Sequence, residues 1–280
     1  MLIVSDPHAI RQILTDNRTF IKGADYTEKF REGFGDGLVT SNGDKHKHDR
    51  TCLGKYFIKS NIEKYLGMIS GHTLQMMGEV IEPAAGGTLN MQHFFHILTL
   101  RVFGQFAVSH DFSLPENHQS AEWLNEKVCW GSNVLGEHIV LNIPMWSIVP
   151  RVTKFRKIIK EMDDLFDTII DKRIMEIERG EDVPDDCLTA LLEDNQTRSE
   201  LNDHLRTLLC AGHDTTAYFC CYMAYLLAQN PRAQDKLRAE FQTVLNGRTD
   251  ITNEDINNLP YCKMVMQETL RIYTIIPFVN

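Results

Sequence analysis

A chain of 280 residues that is 43% hydrophobic and 24% charged has an ordinary globular composition, with room for one sizeable core. Its net charge of -9 argues against nucleic acid as a partner, because phosphate binding needs a basic face. The cysteines include no C-x-x-C pair, which excludes finger-type zinc spacing; they read as reduced thiols of an intracellular compartment, packed as small hydrophobes.

No signal peptide is visible in MLIVSDPHAIRQIL, and no run reaches the roughly 18 uninterrupted apolar residues of a membrane span. Ser5-Asp6-Pro7 opens a helix to about residue 15, with Asp6 as its cap. Residues 22–45, rich in glycine and charge, read as loop. Periodicity then predicts helices over 44–57, 60–81, 89–108 and 119–136. Within the third, FFHILTLRVFGQFAV carries Arg101 at its centre and reads as a buried helix.

Residues 139–150, IVLNIPMWSIVP, hold two prolines and read as an apolar connection. Two readings stay open for it: a lid packed over the core, or a membrane-touching or substrate-entry surface. An amphipathic helix follows over 151–179, closed by Gly180. Helices over 185–193, 198–229 and 232–245 come next, then a capped start at Thr252 to Asp255 and a helix carrying Glu268 and Arg271. Strand signals are sparse and repeats absent, so residues 1–280 read as one mostly helical domain.

The long helix breaks its own pattern. In LRTLLCAGHDTTAYFCCYMAYLLA, residues 205–228, Gly212, His213, Asp214, Thr215 and Thr216 interrupt two apolar flanks. Glycine in a helix costs about 1 kcal/mol relative to alanine, and a buried carboxylate or hydroxyl needs a partner. Such a centre is expected to loosen the helix and open a groove; a threonine bonding its own i-4 carbonyl is the structural alternative. Glu268 and Arg271 lie three apart on one helical face among Met264, Val265, Leu270 and Ile272, a setting that argues for burial over a surface ion pair. His46 and Arg50, at i and i+4, can face one anion; a solvated basic helix start is the bland alternative.

Ala-Gly-x-Asp-Thr-Thr at 211–216 resembles the central I helix of the cytochrome P-450 family, and Glu268-Thr269-Leu270-Arg271 resembles its Glu-x-x-Arg. His46-x-x-x-Arg50 is similar to the family's C-helix motif, with histidine at the usual tryptophan position. The family's haem-ligand loop, Phe-x-x-Gly-x-Arg-x-Cys-x-Gly, occurs nowhere in the 280 residues. The resemblance therefore covers the central part of that fold, the B to K helices: mainly α, little β, without the N-terminal part and the ligand-cysteine loop.

What the resemblance implies is a haem-dependent monooxygenase. Such an enzyme oxidises an apolar small-molecule substrate with dioxygen and electrons from a reductase; its cofactor is haem (heme, protoporphyrin IX iron). By resemblance, Ala211 and Gly212 lie at the haem face, His46 and Arg50 hold the propionates, and Asp214 and Thr215 are catalytic, delivering protons. Glu268 and Arg271 form a structural ion pair, while His213, Ile275, Ile276 and Phe278 border the substrate pocket. The family usually has proline where Thr274 stands, whereas Pro277 matches. No cysteine present is expected to ligate iron. The resemblance also implies peripheral membrane contact through 139–150, and placement at the endoplasmic reticulum membrane for a form with an N-terminal anchor, otherwise in the cytoplasm. From another class, the alternative is a catalytically inactive helical fragment or interaction module.

Overall fold

The computed structural model describes residues 4–16, 18–112, 121–140 and 150–276. Helix α1 (Pro7–Thr15) starts where the Asp6 carboxylate accepts from the Ala9 amide at 2.8 Å, with Pro7 at the first helical position. The stretch 22–45 is not loop throughout, because α2 (Ala24–Phe34) lies within it. Tyr26, Phe30 and Phe34 recur one turn apart, with ring centroids 4.4 and 5.8 Å from one another, and this aromatic ridge outweighs the charged residues between them. The turn after it requires glycine. Gly35 has a φ of +56°, and a Cβ there would overlap the Asp203 carboxylate.

Helix α3 (Gly43–Gly54) runs into a 3-10 turn at 55–57, and Ile58 then breaks the chain with extended backbone. The single helix expected over 60–81 is instead a series: α4 (Lys59–Ile62), a 3-10 turn, α5 (Leu66–Met76) and a π turn over 77–81. Gly67, Gly71 and Gly78 lower helix propensity across it. Next come α6 (Met91–Val108), α7 (Ala121–Val140) and α8 (Pro150–Glu178). Both α7 and α8 extend into the expected connection; proline at a first helical position costs no hydrogen bond. Residues 141–149, the rest of that connection, lie outside the described residues.

The chain continues through α9 (Cys187–Glu193), α10 (Arg198–Gln229), α11 (Pro231–Leu245), α12 (Asn253–Asn257) and α13 (Pro260–Ile272). Among the described residues there is no strand, and no helix is long and apolar enough to cross a membrane. The fold is mainly α.

Helix α6 is apolar almost all round and is accordingly buried, packing most extensively along α10. The main core gathers Leu100 of α6, Phe166 of α8, Leu188 of α9 and Leu205 of α10, all fully buried. Each such side chain contributes about 1.5–3 kcal/mol. A second cluster joins Val134 and Leu135 of α7 to Val152 and Phe155 of α8, with Phe30 and Phe34 of α2 against it. A buried ion pair ties three helices. Arg173 of α8 donates to both Asp186 oxygens at 2.9 and 3.0 Å and to the Val108 carbonyl at 3.1 Å, while Asp186 caps α9 through the Thr189 amide.

Candidate functional site

Helix α10 is unbroken from Arg198 to Gln229, so the expected local loosening does not occur. Thr215 donates to the Ala211 carbonyl at 2.5 Å, the i-4 bond that lets a threonine sit in a helix without opening it. A Thr197–Glu200 capping box secures the start of α10. Pro231 opens the next helix directly after the C-cap Asn230.

The polar centre of α10 has two environments. Ala211, Gly212 and Thr216 are exposed, and a Cβ on Gly212 would meet nothing within 4 Å. His213 is fully buried, and Asp214 points inward. Asp214 accepts from the Ser132 hydroxyl of α7 at 2.7 Å through Oδ2. Its Oδ1 lies 3.0 Å from His213 Nδ1, without hydrogen-bond geometry, and 3.6 Å from His96 Nε2 on α6. Burial pushes the Asp214 carboxyl up, but His213, the Ser132 hydroxyl and His96 together hold it below the ordinary carboxylate value. Asp214 is therefore ionised at neutral pH. Asp214 and Thr215 are consecutive, yet no hydrogen bond joins them among the described residues.

His46 is half-buried and Arg50 exposed on α3. Burial lowers His46 from its ordinary value of 6.5, and the Lys22 and Arg50 charges lower it further. Lys22 spends its hydrogen bonds on the Leu38 and Ser41 carbonyls, at 2.7 and 2.9 Å. Three basic side chains thus stand close together, and no carboxylate among the described residues bonds to Arg50. Beside them, Asp49 of α3 lies 3.5 Å from His204 of α10. His204 and Ala211 are about 10 Å apart along the helix axis.

Glu268 and Arg271 form the expected ion pair, at 2.6 Å, but are 56% and 70% exposed. The setting that argued for burial fails because α13 packs on α10 and α11, and no described element covers the face carrying this pair. Met264, Leu270 and Ile272 are exposed too. Ile275 is half-buried and Ile276 is 58% exposed, while Pro277 and Phe278 lie outside the described residues. The structure thus gathers His213 and Asp214 with His96 and Ser132, which were not singled out from the sequence. For His96 the signal was present: an imidazole inside FFHILTL. Ser132 gives none, since a serine on an amphipathic helix is unremarkable.

The sequence profile of the Cytochrome P450 family matches residues 1–280. The chain is 29% identical to Protein LUTEIN DEFICIENT 5, chloroplastic, of Arabidopsis thaliana over 97% of its own length and 48% of that protein's. It is 28% identical to Cytochrome P450 97B1, chloroplastic, of Pisum sativum, over 97% of this chain and 54% of the relative. With Cyclooctat-9-en-7-ol 5-monooxygenase of Streptomyces melanosporofaciens it shares 26% identity over 95% of this chain and 57% of the relative. The chain thus spans about half the length of the curated relatives it matches. A profile match over every residue, joined to a helical fold whose long α10 carries the acid and alcohol at its centre, settles the family: this chain belongs to the cytochrome P450 family.

Proposed function

We propose that this chain supplies the proton-delivery and propionate-holding part of a haem monooxygenase acting on an apolar organic substrate, with dioxygen and electrons from a reductase. The observation that carries the reading is Asp214, a carboxylate kept ionised at mid-helix, next to the Thr215 hydroxyl and the exposed Ala211–Gly212 stretch. The residues present fit haem on one further count: Lys22 and Arg50 concentrate positive charge that propionates would neutralise, beside a neutral His46 imidazole able to donate a hydrogen bond. Bound haem supplies the redox-active iron at which dioxygen is activated.

The chain's own residues then have distinct tasks. Arg50 and His46 bind carboxylates. Ala211 and Gly212 leave α10 flat enough for a planar ligand to approach its backbone. Thr215 Oγ1 donates to the Ala211 carbonyl, so its lone pairs are free to accept a proton, and passing one on requires the O–H to turn from that carbonyl toward the next acceptor. Asp214 takes protons from the interior, where Ser132 holds one carboxylate oxygen in place. Ile275 and Ile276 offer apolar contact to substrate.

Haemin titration of the chain tests this reading. Saturable binding is expected, weakened about 10-fold by Arg50→Ala, the loss of one charge-assisted contact. Affinity indifferent to both Arg50→Ala and His46→Ala would refute the propionate assignment. In the reductase-coupled, haem-loaded protein, Asp214→Asn should slow substrate oxidation by about 100-fold or more, as expected for a lost proton-transfer group. Undiminished turnover would remove Asp214 from that role.

A further inference from the structure

His96, Cys129 and Asp214 come from α6, α7 and α10, and their ligand atoms all lie within 4.8 Å of one another. The protons there are well defined. His96 Nδ1 donates to the Gln92 carbonyl at 2.7 Å, so that nitrogen carries the hydrogen and Nε2 presents a lone pair. His96 is 1% exposed, and Nε2 has no hydrogen-bond partner. Facing it at 3.6 Å is Asp214 Oδ1, also buried and also without a hydrogen bond. Two acceptors thus confront each other, and His213 Nδ1, 3.0 Å from the same Oδ1, lacks hydrogen-bond geometry, an arrangement that is unfavourable unless something positive sits between them.

A second proton on His96 answers poorly. The 3.6 Å separation exceeds the reach of a hydrogen bond. A cation bonded at about 2.0–2.2 Å to nitrogen and oxygen suits the separation, and a thiolate at about 2.3 Å completes a third side. The ligand atoms, within 4.8 Å of one another, would draw together by up to about 1.3 Å to reach tetrahedral spacing. The supporting contacts are those of a metal centre: a backbone carbonyl orients the histidine, and Ser132 holds the other carboxylate oxygen.

We propose that His96, Cys129 and Asp214 form a largely buried three-residue site for a zinc-class divalent cation. The mix of nitrogen, sulfur and carboxylate oxygen selects zinc or cobalt over magnesium or calcium. Burial pushes the Cys129 thiol up to about 12, so the metal must displace its proton, and binding releases that proton to solvent. An occupied site also takes Asp214 Oδ1 out of proton transfer, so the cation acts as a brake on the chemistry proposed above. Binding itself does not rest on that proposal, because every ligand is present in this chain.

The test is cobalt(II) titration of the metal-stripped chain without haem, read by absorption and circular dichroism. One ion per chain is expected, with a thiolate-to-cobalt charge-transfer band. Cys129→Ser should abolish the band, and His96→Gln should weaken binding by at least about 10-fold. Cys262→Ser on α13 should leave both intact. A water molecule donating to both acceptors is the rival occupant; it predicts no saturable cobalt binding, and that result overturns the proposal. So does a band that survives in Cys129→Ser. Should His96→Gln lose helicity, Cys129→Ser decides alone, since the exchange of sulfur for oxygen keeps the shape.

Discussion

At the scale of single residues, what matters is whether each buried charge finds its partners. Arg173 and Asp186 do so completely: the guanidinium bonds both carboxylate oxygens, the Val108 carbonyl and Glu176. Arg173→Ala leaves Asp186, fully buried, without its counter-charge. We expect a loss of about 3–5 kcal/mol, measured as a fall in the urea midpoint. An Arg173→Ala midpoint within experimental error of the parent would show that water replaces the guanidinium. The Glu268–Arg271 pair makes the opposite point, since the same chemistry on an exposed face contributes little. Asp214 sits between these cases, with one oxygen satisfied and the other waiting.

Among the elements, α10 organises the molecule. It packs on α6, α8 and α13, and its N-terminus is held by reciprocal bonds between Thr197 and Glu200. The bonds from the Thr197 amide and hydroxyl hold the Glu200 carboxyl down to about 2. Thr197→Ala should cost about 1 kcal/mol, visible in thermal melts, while Thr197→Ser should cost little. If both variants melt alike, the cap is not what secures this helix. Helix α2 shows how an element can be misread. Glycines and charges suggested loop, but three aromatics one turn apart carried the helical period, and their packing against α7 and α8 decided the outcome.

For the whole molecule, acid stability follows from how the core treats its histidines. Burial lowers His96, His204 and His46 below the ordinary value of 6.5. The folded state thus keeps them neutral, while the unfolded chain takes up protons near 6.5. Their effect on stability is therefore absent as a penalty above 6.5 and grows as pH falls through it. His48, raised at the surface by Asp194, opposes the trend by favouring the folded state below 6.5. A second loss belongs to Glu200, whose contribution is present above 4.5 and disappears toward about 2. Melting temperature should accordingly fall between pH 7.5 and 5.5 and again below 4.5, with a shallower first step in His204→Gln. A melting temperature that rises over the first interval would contradict the neutral burial of these rings.

Much of this was legible in the linear chain, for a definite reason. Helix period, caps and turn residues act within a turn or two, so Asp6, Thr252 and Gly180 mark helix ends that the structure bears out. The ordered motifs at 46–50, 211–216 and 268–271 placed the chain in its family for the same reason: each is a local pattern on one helix. Partnership and exposure are not local. Ser132 reaches Asp214 from 82 positions away, and His96 meets it from a third helix. Whether Glu268 and Arg271 are covered depends on which elements pack over α13, a matter of summed surface burial that no window of sequence contains. The sequence alone determined a helical chain with an acid and an alcohol at the centre of its longest helix. Only the tertiary packing decided what that acid faces, because the groups that complete its environment converge after α6, α7 and α10 have buried their apolar surfaces together.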